Sequence, residues 1–122
     1  MQTATELLVW GIVLHLVGDW LFQNDWMAFN KMSLRHPAGY VHAAIHAGLL
    51  LLIFPWYAAF VVGVTHMLID TRKPTIWWMK HIKQMTTEGP HVVMVEIWLD
   101  QVEHVVILAI AALVLATWFV GG

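Results

Sequence analysis

Apolar residues in this chain run in long blocks with short polar breaks, without the strict alternation of a half-buried strand. The blocks cover about residues 5 to 25, 38 to 54, 57 to 72 and 92 to 120, and they read as four membrane spans, the middle two short. Pro55, in IFPWY, separates the second block from the third. One kinked helix over about residues 40 to 71 is the rival reading. At a rise of 1.5 Å per residue it would hold His42 and His66 roughly 36 Å apart, on opposite sides of a bilayer, whereas a hairpin lets them meet.

The basic residues favour the hairpin. Lys31 and Arg35 follow the first block, and Arg72, Lys73, Lys80 and Lys83 follow the third, so four spans place all six on one side. The positive-inside rule makes that side cytoplasmic and puts both termini outside. The expected fold is all-α: an integral membrane four-helix bundle of up-down topology, forming a single transmembrane domain over 1–122. The segment PTIWWMKHIKQMTTEGP joins Trp77, Trp78 and Met79 to Lys80 and Lys83, which predicts a short interfacial helix between spans three and four.

Composition strengthens the membrane reading. Apolar residues make up 60% of the chain and charged residues 11%, with a mean hydropathy of +0.69, against about a quarter charged in soluble domains. Eight Trp fall mostly near block ends, where indole rings favour the membrane–water boundary. The start, MQTATELLVW, lacks the basic region of a cleaved signal peptide and reads as a retained first span. A net charge of −2 leaves no basic stripe for nucleic acid. With no Cys, thiolate zinc sites and iron–sulfur clusters are excluded, and any metal needs nitrogen and oxygen ligands.

Within the apolar blocks, imidazoles and carboxylates recur in a pattern. His and Asp occupy 12 of 122 positions, for which chance gives about one pair spaced by four. There are four: His15 with Asp19, His42 with His46, His66 with Asp70, and Asp100 with His104, one on each block. Four residues advance a helix by about 6 Å and return to the same face, so each pair can grip one ion or two adjacent ions. Up-down topology brings all four pairs towards the cytoplasmic side.

A lone His or Asp in a membrane helix commonly just hydrogen-bonds a neighbouring helix. Three Asp on three helices are a different matter, since each costs roughly 2.5 to 3.5 kcal/mol near the bilayer centre. Divalent cations offset that cost. Eight candidates exceed one tetrahedral shell and point to two ions, with zinc, manganese or iron all suited to nitrogen and carboxylate donors. Some of the eight would orient ligands instead of binding metal, and spacing alone does not choose among them.

HLVGDWLFQNDWMAFNK, THMLIDTRK and LDQVEH resemble a family of small multi-pass bacterial and phage membrane proteins catalogued only as a domain of unknown function. The likeness covers about residues 15 to 104. It implies a bacterial inner (cytoplasmic) membrane location, and it adds Gln23, Lys31, Lys73 and Gln101 to the polar set. More loosely, the layout is similar to that of membrane-bound metal-dependent hydrolases.

From the residues themselves, Gln23 extends the His15–Asp19 stripe by one turn, to hold a ligand carboxylate or a substrate group or simply to pair helices. Lys73 or Arg72 offers charge to a phosphate, or Lys73 snorkels to lipid headgroups. Glu103 is near enough in sequence to the Asp100–His104 pair to act as a base, or it faces water.

The leading expectation is a metal-dependent hydrolase with a dinuclear site, in which Gln23, Lys73, Gln101 and Glu103 assist attack on a phosphoester of a lipid or lipid-linked substrate. An ion or proton pathway using the same His/Asp cluster is the alternative, and a haem-binding electron carrier a weaker one. A homodimer is the expected self-association.

Overall fold

A computed structural model describes residues 2–120, and the chain is all-helical, with no strand among the described residues. Helix α1 (Ala4–Leu16) starts at a reciprocal cap. The Glu6 backbone N–H donates to Thr3 Oγ1 (3.2 Å) and the Thr3 N–H donates to Glu6 Oε2 (2.8 Å). Together they satisfy two donors that the first turn leaves free. α1 continues without a break into a π-helical segment, Val17–Phe22, whose wider turns carry i→i+5 hydrogen bonds.

The first apolar block therefore ends at Phe22 rather than Asp25. Gln23 is extended, Asn24 caps the short α2 (Asp25–Asn30) through Oδ1 to the Met27 N–H (3.0 Å), and the buried Met27 anchors it. Helix α3 (Pro37–Leu50) is capped by His36, whose Nδ1 accepts from the Ala38 N–H (3.0 Å), with Pro37 in the first turn, where no N–H is needed.

After Leu50 a turn leads through Pro55 into α4 (Trp56–Asp70). The two helices pack against each other as a hairpin, and the His42 and His66 rings lie 5.0 Å apart. A Cβ on Gly63 would meet the Ala47 Cβ at 3.0 Å, so small residues set how closely α3 and α4 approach. Arg72, in the left-handed region at φ 65°, turns the chain into α5 (Lys73–His81). α5 lies where a short helix is expected between spans three and four and buries Thr75 and Met79 one turn apart. Gly89 (φ 116°) and Pro90 open the long α6 (Pro90–Val114), which continues as a π-helical segment, Leu115–Val120.

α1 packs on α3 and α6, and α4 packs on α3 and α6, so the four longer helices close a ring of neighbours. An apolar layer fills one end: Leu7 from the start of α1, Leu50 and Phe54 from the end of the α3 region, Ala59 and Val62 from the start of α4, Leu108 and Ala112 from late α6, and Leu115 from the π-helical segment that follows it. Successive long helices thus run in alternating directions. Their other ends form a second, polar layer.

Ala4–Phe22 and Pro90–Trp118 are long and apolar enough to cross a membrane, and Trp56–Asp70 is a shorter apolar helix. The outward faces are apolar as well, including Leu21, Leu52, Phe60 and Trp98, all more than 60% exposed.

Candidate metal centre

The polar layer collects all four sequence pairs. His15 and Asp19 come from α1 and its π segment, His42 and His46 from α3, His66 and Asp70 from the end of α4, and Asp100 and His104 from mid-α6. All but the partly exposed Asp100 are buried. Each pair stays on one face because the helix returns to it every four residues. Antiparallel packing then brings the four faces to one level.

Asp19 and Asp70 form the two hubs. Asp19 Oδ1 lies 2.9 Å from His46 Nε2 and 3.2 Å from His42 Nε2, while its Oδ2 lies 3.2 Å from His15 Nε2. Asp70 Oδ2 lies 3.0 Å from His66 Nε2 and 3.3 Å from His42 Nε2, and its Oδ1 is 3.6 Å from His104 Nε2. His42 stands between the hubs. Lys31, returned to the cluster by α2, places Nζ 3.7 Å from Asp70 Oδ1.

Many of these contacts are close without being hydrogen bonds. Both ring nitrogens of His42, the Nε2 atoms of His66 and His104, and Asp70 Oδ2 are buried and make no hydrogen bond. Leaving a buried polar atom unsatisfied costs about 1–3 kcal/mol, so several on three helices constitute a large deficit unless a ligand fills it. The donor atoms fall into two groups, Asp19/His42/His46/His66 and His66/Asp70/His104, each with its ligand atoms within 4.8 Å of one another. These groups can hold a metal ion, and nitrogen plus carboxylate oxygen is a donor set suited to divalent cations.

The neighbouring groups orient the set. His104 Nδ1 donates to the Asp100 backbone oxygen (2.7 Å), which fixes the tautomer and leaves Nε2 free to bind on the side of Asp70. Gln101 Oε1 is 3.1 Å from His15 Nε2, and its Nε2 donates to Asp19 Oδ2 and Asp100 Oδ2, both at 3.4 Å. His15 and Asp100 belong to neither ligand group and stand beside them.

Gly18 has a role that pair spacing does not reveal. A Cβ at this position would lie 2.6–2.9 Å from the His46 ring, so the ring's place against Asp19 depends on glycine there. The only hint in the sequence is a glycine directly before Asp19.

The cluster has two sides. Towards the apolar layer, His15, His46, His66 and His104 border a cavity of about 10 Å³, space for a single water. On the other side, Asp19, Asp70 and Asp100 form the wall of a cleft of about 340 Å³ that also receives Gln23, Lys31 and Arg72. The buried Oε1 of Gln23 makes no hydrogen bond.

Of the four residues expected to assist chemistry, the structure brings Gln23 and Gln101 to this cleft. It does not bring Lys73 or Glu103 there. Lys73 is exposed at the start of α5, beyond the Arg72 turn, and the cations at the cleft are Lys31 and Arg72. Glu103 accepts a hydrogen bond from Thr75 Oγ1 (2.7 Å) and lines a different groove, between α6 and the α4–α5 corner.

Fold and site together define an all-helical protein with two helices apolar enough to cross a membrane and a buried His/Asp cluster able to hold metal. A family model described as "Protein of unknown function (DUF3307)" matches residues 7–120, and the chain belongs to that family. No curated protein and no solved structure matches the chain.

Proposed function

We propose that the protein is a membrane-embedded, metal-dependent hydrolase acting on a phosphoester of a lipid or lipid-linked substrate. In this reading α1, α3, α4 and α6 cross the bilayer as one domain, and the His/Asp layer lies towards the cytoplasmic leaflet, at the end that carries the basic residues. Only 28% and 22% of the two longest apolar stretches are buried within the protein, the reverse of a core helix in a water-soluble fold. α3 and α4, with 14 and 15 residues, reach about 21–22 Å at 1.5 Å per residue, short of the roughly 30 Å hydrocarbon core. Their shortness supports placing the cleft where headgroups and water reach it.

The observation that carries the proposal is the set of buried imidazole nitrogens without hydrogen bonds, gathered on two carboxylates that also wall a polar cleft. Asp19, His42 and His46 would hold one ion and Asp70 and His104 a second, with His66 within reach of both. Two divalent ions, zinc, manganese or iron, would lower the pKa of a water and stabilise charge on phosphoryl oxygens. Hydrolysis forms a P–O bond from water and breaks the ester P–O bond, the departing oxygen taking up a proton. Lys31 and Arg72, the latter paired with Glu96 at 3.4 Å, would bind the phosphate, Gln23 and Gln101 would orient it, and Asp100, one of five carboxylates lining the cleft, would accept a proton.

The alternative readings fare less well. An ion or proton path needs a relay beyond the cluster, and the layer there consists of Leu7, Leu50, Val62 and Leu108. Haem needs a gap between facing imidazoles, yet neighbouring rings pack with centroids 3.8–5.5 Å apart.

The test is purified protein, analysed for metal and assayed on phosphatidic acid, a polyprenyl phosphate and a soluble aryl phosphate. About two ions per chain, with turnover abolished by chelation and by Asp70→Asn, is the expected result. Metal-loaded protein inert towards all three, or turnover indifferent to chelation, would contradict the proposal.

A further inference from the structure

Three apolar grooves run along the outer faces of the helices. One, of about 510 Å³, lies between α3 and α4, a second, of about 640 Å³, lies where Glu103 meets the α5 tryptophans, and a third, of about 630 Å³, lies between α1 and the first half of α6. All fall within the range of ligand-binding sites. Only the third shares walls with the polar cleft. Trp20, Ile97 and Gln101 line both spaces, and His15 forms part of the groove floor. The other two grooves share no lining residue with the cleft.

The geometry points to one amphiphilic binding site made of both spaces. The α1/α6 groove takes the hydrocarbon chain of a membrane-resident phosphate ester whose headgroup occupies the cleft. The identity of that headgroup rests on the phosphoester reading above. On the side towards the apolar layer the groove is walled by Ile12, Leu16 and Val105, all apolar, and the cleft beyond Trp20 supplies Lys31 and Arg72.

Trp20 at the junction has the amphipathic ring that favours a boundary between chain and headgroup. Lipid tails are as apolar as the groove, so the groove adds little attraction of its own. Its contribution is steric: the chain stays in hydrocarbon while the phosphate moves sideways to the metal ligands. Selectivity then comes from the headgroup, and an obstruction in the groove excludes long-chain substrates alone.

The test uses the full chain, supplied with zinc, in phosphatidylcholine vesicles doped with phosphatidic acid carrying a photoreactive acyl chain. A phosphatidylcholine with the same chain serves as the comparison probe, and labelled residues are mapped by peptide mass spectrometry. Labelling of Ile12, Leu16 and Val105 is expected to be at least fivefold higher with the phosphatidic acid probe. It should fall at least fivefold in Leu16→Trp and stay unchanged in Val64→Trp, which fills the α3/α4 groove instead. Labelling that is equal for the two headgroups, or equally strong in the α3/α4 groove, would overturn the inference. Turnover is not needed for this readout. Headgroup-dependent labelling without hydrolysis sinks the enzyme reading and leaves the site, whereas hydrolysis of soluble phosphate with uniform labelling sinks the site and leaves the enzyme.

Discussion

The same four helices build both ends of the molecule, and the two ends obey different rules. At the apolar end, Leu7, Leu50, Phe54, Val62, Leu108 and their neighbours fill the space between helices with groups that need no partner. At the polar end, His42, His66, His104 and Asp70 are equally buried but keep atoms without hydrogen bonds. The apolar layer sets the directions and spacing of the helices, and α2 and α5 brace the other end. The polar layer is thereby free to hold an arrangement that would be a poor way to join helices and is a good way to hold cations.

The sharpest way to break this comparison is to remove a hub. Asp70→Asn or His42→Ala should reduce bound metal to less than a tenth of the wild-type amount, by elemental analysis, while the protein remains in the membrane fraction. Equal metal in both variants would mean that the polar layer is a helix-pairing network after all.

A smaller effect is expected from Gly18→Ala. The added methyl displaces the His46 ring from Asp19, and metal affinity should fall by about 10–100-fold, the usual cost of disturbing groups that position ligands. Gln101→Ala should fall at the lower end of that range, because Gln101 orients His15 and Asp19 through longer hydrogen bonds. Competition titration with a chromophoric chelator measures both.

Acid should act on the polar end alone. Ligand imidazoles must be neutral to bind, so protons and metal compete for the same nitrogens and apparent metal affinity should fall progressively as pH is lowered. Helix content by circular dichroism should not follow the same curve.

The smallest effect on metal is expected from Phe54→Ala in the apolar layer. Phe54 is 3% exposed, and truncation at such a site costs about 3–5 kcal/mol. The thermal midpoint should fall with metal per chain unchanged. Loss of metal in Phe54→Ala would mean that the two layers are not separable.

How much of this was legible in the sequence follows from the range over which each feature is determined. The four His/Asp pairs were legible because helical periodicity is local and fixes which residues share a face. The hairpin at Pro55 was legible from the one-sided distribution of Lys and Arg. Closeness in sequence does not place Glu103 at the cluster, since adjacent helix residues point about 100° apart, and Glu103 turns to Thr75 while His104 turns inward. Of Lys73 and Arg72, the two cations the sequence offers to a phosphate, only Arg72 reaches the cleft, because its left-handed conformation sends α5 and Lys73 away, and α2 brings back Lys31 from far earlier in the chain. Gly18 and the π-helical turn around Asp19 depend on the distance between α1 and α3, which no local pattern encodes.

The most direct measurement of the central claim is anomalous diffraction from crystals of the metal-loaded protein. Two peaks are predicted within the polar layer, one contacted by Asp19, His42 and His46 and the other by Asp70 and His104, with bonds of about 2.0–2.2 Å. A featureless anomalous map, with the His42, His66 and His104 Nε2 atoms hydrogen-bonded to waters or to one another, would contradict it.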